Sequence, residues 1–169
     1  CLMAVTLSDT GEVSFGAQIR WTGDSKHLLV KIGWHGEEQI CSISRTGGNL
    51  KPLTSGNAIH SMGNFSNDSK TIALMIGSAN TPPEIFVGKV GANKISMRQV
   101  SYENTQWCEE HAVVTPKEKW ITSTDNTPIH CWIMRPPKEV RTRSSKPAVL
   151  QIHGGPHCQY GWMFFHEFQ

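Results

Sequence analysis

Trp21-Thr22-Gly23-Asp24-Ser25-Lys26 and Phe65-Ser66-Asn67-Asp68-Ser69-Lys70 share one pattern: an aromatic, a hydroxyl, a small residue, then Asp-Ser-Lys. Asp24 and Asp68 stand 44 residues apart, and each copy runs into a β-type stretch, His27 to Ile32 in the first and Thr71 to Ile76 in the second. Further on, Gln39-Ile40-Cys41-Ser42-Ile43 matches Glu84-Ile85-Phe86-Val87-Gly88 at an offset of 45, so one residue has been inserted in the intervening loop. A third short strand closes each copy, over 50–53 after Thr46-Gly47-Gly48-Asn49 and over 96–100 after Gly91-Ala92-Asn93. Repeats of about 40–45 residues built from short strands and turns are the mark of propeller blades. The expected fold is therefore a β-propeller, of which residues 1–112 hold about two blades. In that frame the aromatic ring wedges between blades, and the Asp and Ser cap a tight turn. Asp24 and Asp68 are read as scaffold rather than as catalytic carboxylates.

Past residue 101 the repeat stops. Lys119-Trp120-Ile121-Thr122-Ser123 and Ile129-His130-Cys131-Trp132-Ile133-Met134 flank the turn Asp125-Asn126-Thr127-Pro128, a hairpin pattern that Pro136-Pro137 ends. The apolar run Ala148-Val149-Leu150-Gln151-Ile152 then reads as a buried strand entering the glycine turn His153-Gly154-Gly155-Pro156. A strand ending in this way lets backbone N–H groups point into a cleft with no Cβ in front of them, and such donors stabilise the anion of a tetrahedral intermediate. The four residues His153, Gly154, Gly155 and Pro156 are thus the candidate oxyanion loop. An antiparallel pair, a crossing strand and such a loop is the order in which an α/β-hydrolase domain opens. Residues 113–169 are expected to be the start of that domain, with the boundary between Ala112 and Pro116.

Composition excludes several other classes. Lys and Arg number 16 against 14 Asp and Glu, so no strong field calls for a nucleic acid or an anionic membrane. The basic cluster from Lys138 to Lys146 is broken by prolines and serines and reads as a solvated loop. The five cysteines (Cys1, Cys41, Cys108, Cys131, Cys158) are odd in number, scattered and free of any C-x-x-C pair, which points to a reducing, cytoplasmic compartment. No window has the apolar length of a membrane span. The chain opens on Cys1 rather than Met, so its natural N-terminus is expected to lie upstream, with or without a signal peptide.

No G-x-S-x-G occurs in the 169 residues. A nucleophile and its partners are therefore not assigned to this chain, and no catalytic residue is named in it. His153 is read as bracing the glycine turn rather than as a general base. A zinc site at His153 and His157 beside Cys158 is rejected, because no further pair completes four ligands and Gly-Gly-Pro between them does not form a helical face. The aromatic stretch from Tyr160 to Phe168 is read mostly as packing, and Glu109-Glu110 as part of a solvated linker.

Two repeats followed by this hairpin, by His153-Gly154-Gly155-Pro156-His157 and by Tyr160-Gly161 and Phe165-His166-Glu167-Phe168-Gln169 resemble the prolyl oligopeptidase (S9) family of serine peptidases. Within it, H-G-G-P-H looks most like the acylaminoacyl-peptidase branch. The resemblance implies a propeller capping an α/β-hydrolase, with a Ser, Asp and His triad that would lie beyond Gln169. It implies hydrolysis of short peptides or acylated peptide N-termini through an acyl-enzyme, with no metal or organic cofactor and with no nucleic-acid or membrane partner. The chain by itself is expected to be inactive. An esterase or lipase of the same hydrolase fold is the rival within the enzymes, and a non-catalytic propeller binding module is the rival outside them.

Overall fold

A computed structural model describes residues 19–137, 147–154 and 159–169. Its main body is an eight-stranded sheet, and the strand order resolves it into two four-stranded antiparallel meanders. The first contains β1 (Ile19–Trp21), β2 (His27–Trp34), β3 (Glu37–Ser44) and β4 (Lys51–Pro52). The second contains β5 (Ile59–Phe65), β6 (Thr71–Ser78), β7 (Thr81–Val90) and β8 (Ile95–Gln99). They join where β3 and β5 run parallel at Glu38 and Ile59, and where the Ile95 amide donates to the Leu53 carbonyl at 2.9 Å. The sheet does not close on itself. A short helix, α1 (Thr105–Glu110), follows, and then a separate two-stranded sheet of β9 (Lys117–Thr122) and β10 (Pro128–Ile133).

Strand pairing reproduces the sequence offsets: His27 pairs with Ser44 and Thr71 with Lys89, so the shift of 44 on one side becomes 45 on the other. Each unit has four strands rather than the three expected, because β1 and β5 precede the Asp-containing turns. The turns themselves are alike. Thr22 and Ser66 each donate a side-chain hydrogen bond to the following Asp, at 2.7 and 2.6 Å, and that Asp accepts from the Lys26 or Lys70 amide. Ser25 and Ser69 take left-handed φ values of 56° and 55°, conformations that the Asp-braced turn imposes on non-glycine residues.

Equivalent strands bury opposite faces. The offset pairs Leu29 with Ala73, yet Leu29 is fully buried and Ala73 exposed, while Ile72 and Leu74 are buried where Leu28 and Val30 are partly open. The front of the first meander therefore packs on the back of the second, and Leu29, Ile40, Leu53, Met62, Ile72, Leu74 and Ile95 form one core. Among the described residues the outer faces stay uncovered: Ile19 and Trp21 beside β2 are 48% and 53% exposed, and the cross-strand neighbours Met75 and Ile85 are 42% and 44%. Of the two aromatics expected to wedge between units, Phe65 packs against the core. Trp21 does not, because β1 is an edge strand whose outer side has no neighbour among the described residues.

A buried ion pair crosses the core side of β2 and β3, with Lys31 Nζ 2.8 Å from Glu38 Oε2 and both side chains almost fully enclosed. The other carboxylate oxygen, Oε1, has no hydrogen-bond partner among the described residues. His60 lies beside the pair, its Nδ1–H donating to the Glu38 carbonyl at 2.9 Å. Burial pushes the His60 imidazole below its ordinary range, against the opposing pull of that carbonyl and of Glu37 and Glu38.

The expected buried strand at Ala148 to Ile152 is not formed. Residues 147–154 are irregular, and Val149, Leu150 and Ile152 are 90%, 83% and 74% exposed. A central strand needs hydrogen-bonded neighbours and a covering layer on each face, and among the described residues β9 and β10 pair only with each other.

The buried pair gives a direct test of packing against charge. Lys31→Ala leaves Glu38 buried without its counter-ion and should destabilise the chain by about 3–5 kcal/mol, whereas Lys31→Met with Glu38→Leu should cost far less or stabilise. Urea unfolding followed by tryptophan fluorescence measures both.

Candidate active-site loop and its anchorage

The hairpin that leads toward the candidate loop is set by its turn. Ser123 donates to Asp125, the Thr127 amide donates to the same carboxylate at 3.0 Å, and Asn126 takes a φ of 67°. This is the hydroxyl–x–Asp turn of the two meanders again, one residue shorter. The Ser123 hydroxyl, with the Thr127 amide and side chain, holds the Asp125 carboxyl down at about 2.

One face of the hairpin carries Glu118, Trp120, His130 and Trp132, as the cross-strand pairs Trp120–His130 and Glu118–Trp132 require. Trp120 stacks on His130 with ring centroids 4.2 Å apart and planes 4° from parallel, and His130 Nε2 lies 2.7 Å from Glu118 Oε1. Onto this face leans the β2–β3 turn, with His35 edge-on to Trp120 at 5.2 Å. The opposite face shows Ile121, Ile129 and Ile133, all exposed.

Gly36 at the tip of that turn is where the parts meet. Its φ is +79°, and a Cβ there would lie 2.5 Å from the Trp132 ring and 3.0 Å from Gly161 Cα. Its carbonyl accepts the Trp162 amide at 2.7 Å, and Trp162 itself is buried. The repeat offset carries Gly36 to Asn80 in the β6–β7 turn, which also holds the second part. The Asn80 amide group donates to Thr115 Oγ1 at 2.9 Å, and Gln169 Nε2 donates to the carbonyls of Ala79 and Val114, each at 2.9 Å. The equivalent tips of both meanders thus grip the C-terminal region from one side.

Of the four candidate loop residues, Gly155 and Pro156 lie outside the described residues, as do His157, Cys158 and the basic cluster from Lys138 to Lys146. Gly154 is exposed, with nothing within 4 Å of the position of a Cβ. His153 is exposed, its Nδ1 2.9 Å from the Gly154 carbonyl oxygen and its ring edge-on to Tyr160 at 5.8 Å. Tyr160 packs in turn on Phe168 at 4.9 Å, and Phe168 on Phe165 at 4.8 Å, so the aromatic stretch is a packing unit.

Glu109 and Glu110 are exposed at the end of α1, and Glu110 accepts from Gln106. The carboxylate that organises the linker is instead Glu84. Burial pushes it up, but hydrogen bonds from Ser101 and from the amide and side chain of Asn104 outweigh that and hold it below its ordinary range. Cys41, Cys108 and Cys131 are free thiols. Among the described residues no group of three or more His, Cys, Asp or Glu is placed to hold a metal ion, and no helix is long and apolar enough to cross a membrane.

Of the residues that anchor the loop, Gly36 is not singled out from the sequence, and Gly161, Trp162 and Gln169 enter there only within the family-like and aromatic stretch, with no anchoring role. Gly36 in a tight turn and the small–large step Gly161-Trp162 are visible there, but their partnership spans most of the chain.

Comparison with known proteins places this architecture. No family model matches the chain. It is 29% identical over 156 residues to an uncharacterized peptidase, YuxL, of Bacillus subtilis, covering 91% of this chain and 23% of that protein. It is 22% identical over 138 residues to dipeptidyl-peptidase 5 of Porphyromonas gingivalis, covering 82% of this chain and 19% of that one. Among solved structures, an acylaminoacyl peptidase of Pyrococcus horikoshii matches over 97% of this chain and 24% of its own, with a TM-score of 0.69 at 18% identity. The chain therefore spans less than a quarter of the length of the curated relatives it matches. These likenesses are all to peptidases, in agreement with the S9-family resemblance read from the sequence.

The Asp125 turn makes the hairpin acid-sensitive. A carboxyl held at about 2 against an ordinary 3.8 contributes stability that is complete above the higher value and is lost as the pH falls through the lower one. Protection of the Thr127 and Ser123 amides, taken as exchange relative to the intrinsic rate at each pH, should fall across that window, and Asp125→Ala should lack that protection at every pH.

Proposed function

We propose that the chain belongs to a serine peptidase that cleaves short peptides or acylated peptide N-termini through an acyl-enzyme. The observation that carries this is the likeness to a peptidase along 91% of the chain, and it favours a peptidase over an esterase or a binding module. Residues 1–112, which include the two meanders, are read as about two propeller blades. Their front-to-back stacking and uncovered apolar ends are what two consecutive members of a larger ring would have. Residues 113–169 are read as the opening of an α/β-hydrolase domain. In favour of that, the hairpin leaves Ile121, Ile129 and Ile133 open on one face, and Val149, Leu150 and Ile152 also lack cover, as segments awaiting the rest of a sheet would.

On this reading the loop His153-Gly154-Gly155-Pro156 supplies the oxyanion donor through the Gly154 or Gly155 amide. The donor lowers the barrier only when the carbonyl oxygen acquires charge, so its worth appears in the transition state. The nucleophile, base and acid belong to the rest of the parent protein, and scattered free thiols fit a reducing, cytoplasmic setting.

Two measurements test this. The 169-residue chain alone should turn over no acyl-amino-acid or peptide chromogen, while the intact parent should do so and be labelled by a fluorophosphonate. In the intact parent, Gly154→Val should lower kcat about 10²–10³-fold with KM nearly unchanged. No described atom lies near that Cβ position, so a local clash with the described residues does not account for such a loss. A parent with no fluorophosphonate-reactive serine would overturn the reading.

A further inference from the structure

We propose that Gly36, in the first meander, is a positioning residue for the His153-Gly154 segment; this rests on the peptidase reading above. The contacts form an unbroken series. The Gly36 carbonyl holds the Trp162 amide at 2.7 Å. Gly161 lies so close that its own Cβ would sit 2.1 Å from the Gly36 oxygen. Tyr160, next in the chain, presents its ring to His153. On the far side Trp132 closes against Gly36, and Trp132 and Trp162 meet edge-to-face at 6.2 Å.

Three features make this tip a locator rather than a passive contact. It is rigid, because the turn is braced by the β2–β3 ladder and lies against the Trp120–His130–Trp132 face. It is sterically exclusive, since neither glycine can carry a Cβ without moving its partner. The second anchor, Gln169 on Ala79 and Val114, fixes the other end of the 160–169 segment, leaving it little freedom to pivot. Displacing the tip must therefore displace Tyr160, and with it the ring against which His153 rests. A shift of about 1 Å in a catalytic constellation costs on the order of 10²-fold in rate.

The test uses the intact parent protein. Gly36→Ala should lower kcat by about 10–100-fold, with KM within about twofold of the parent, and should shift the His153 ring protons in NMR spectra as Tyr160 moves. Gly47→Ala is the control. It has the same left-handed backbone, φ +87°, but nothing within 4 Å of the Cβ position, so it carries the backbone strain alone and should leave kcat and the His153 signals in place. Adding Trp132→Leu to Gly36→Ala makes room for the new methyl and should restore much of the lost kcat. If Gly36→Ala does not fold, Trp162→Leu carries the same test, because it keeps the amide and loosens the anchor. Unchanged kcat in a folded variant, equal losses in Gly36→Ala and Gly47→Ala, or unmoved His153 signals would each overturn the proposal. Gly154→Val measured in parallel separates the two ideas. If it lowers kcat while Gly36→Ala does not, only the positioning role fails. If it leaves kcat intact, the oxyanion reading at Gly154 fails, and the positioning role then stands or falls on the His153 signals. Should the parent hydrolyse nothing, the His153 signals alone decide whether Gly36 sets the place of that segment.

Discussion

The core that Leu29 and Ile40 of the first meander share with Ile72 and Leu74 of the second is what the rest of the chain depends on. Neither meander has a core of its own, since each is a single layer, and a single layer cannot remove both of its faces from water. Burial at their junction supplies the main apolar driving force. It also sets the geometry that follows. With the meanders held in one orientation, their equivalent turns, at Gly36 and at Asn80, project on the same side, and the C-terminal segments are held by both.

Polar groups inside this junction constrain it more than they strengthen it. Lys31 and Glu38 satisfy each other only in part, and the Glu38 backbone serves both the β3–β5 join and the His60 imidazole. A slip of one residue between β2 and β3 would turn Lys31 or Glu38 to the other face of the sheet and leave its partner buried without a counter-charge. Charge here acts as negative selection against wrong registers, at some cost in stability.

The repeat was legible because its turn has a chemical identity. Asp24 and Asp68 need a hydroxyl two residues before and accept an amide two residues after, so the pattern survives divergence of the strands. β1 and β5 were missed for complementary reasons. The first has three residues, and the second buries His60 and Met62 between Ser61 and Gly63, which blurs the apolar alternation that marks a strand. α1 is six residues long with no side-chain N-cap, too short to leave a helical period. The run Val149 to Ile152 misled for the opposite reason: its composition is that of a buried strand, but composition states a preference and pairing requires a neighbour. The anchorage of the candidate loop was not legible at all, because a glycine that makes room for a residue late in the chain looks the same as one that only turns a hairpin.

Stacking front to back also gives the pair of meanders a direction. Two units related by a two-fold axis would bury like faces and present like ends, which closes an assembly at two. Two units related by a translation and a rotation present unlike ends, and each end is the complement of the other. Nothing in such an arrangement defines a last member. On the propeller reading proposed above, its apolar termini, Trp21 with Ile19 on one side and Met75 with Ile85 on the other, would be covered by further members of the series or by a rotation that brings the final face round to the first. The number of units would then be fixed by the angle between neighbours rather than by any one contact, so small changes in how the two meanders seat on their shared core would bear on the circumference of the whole.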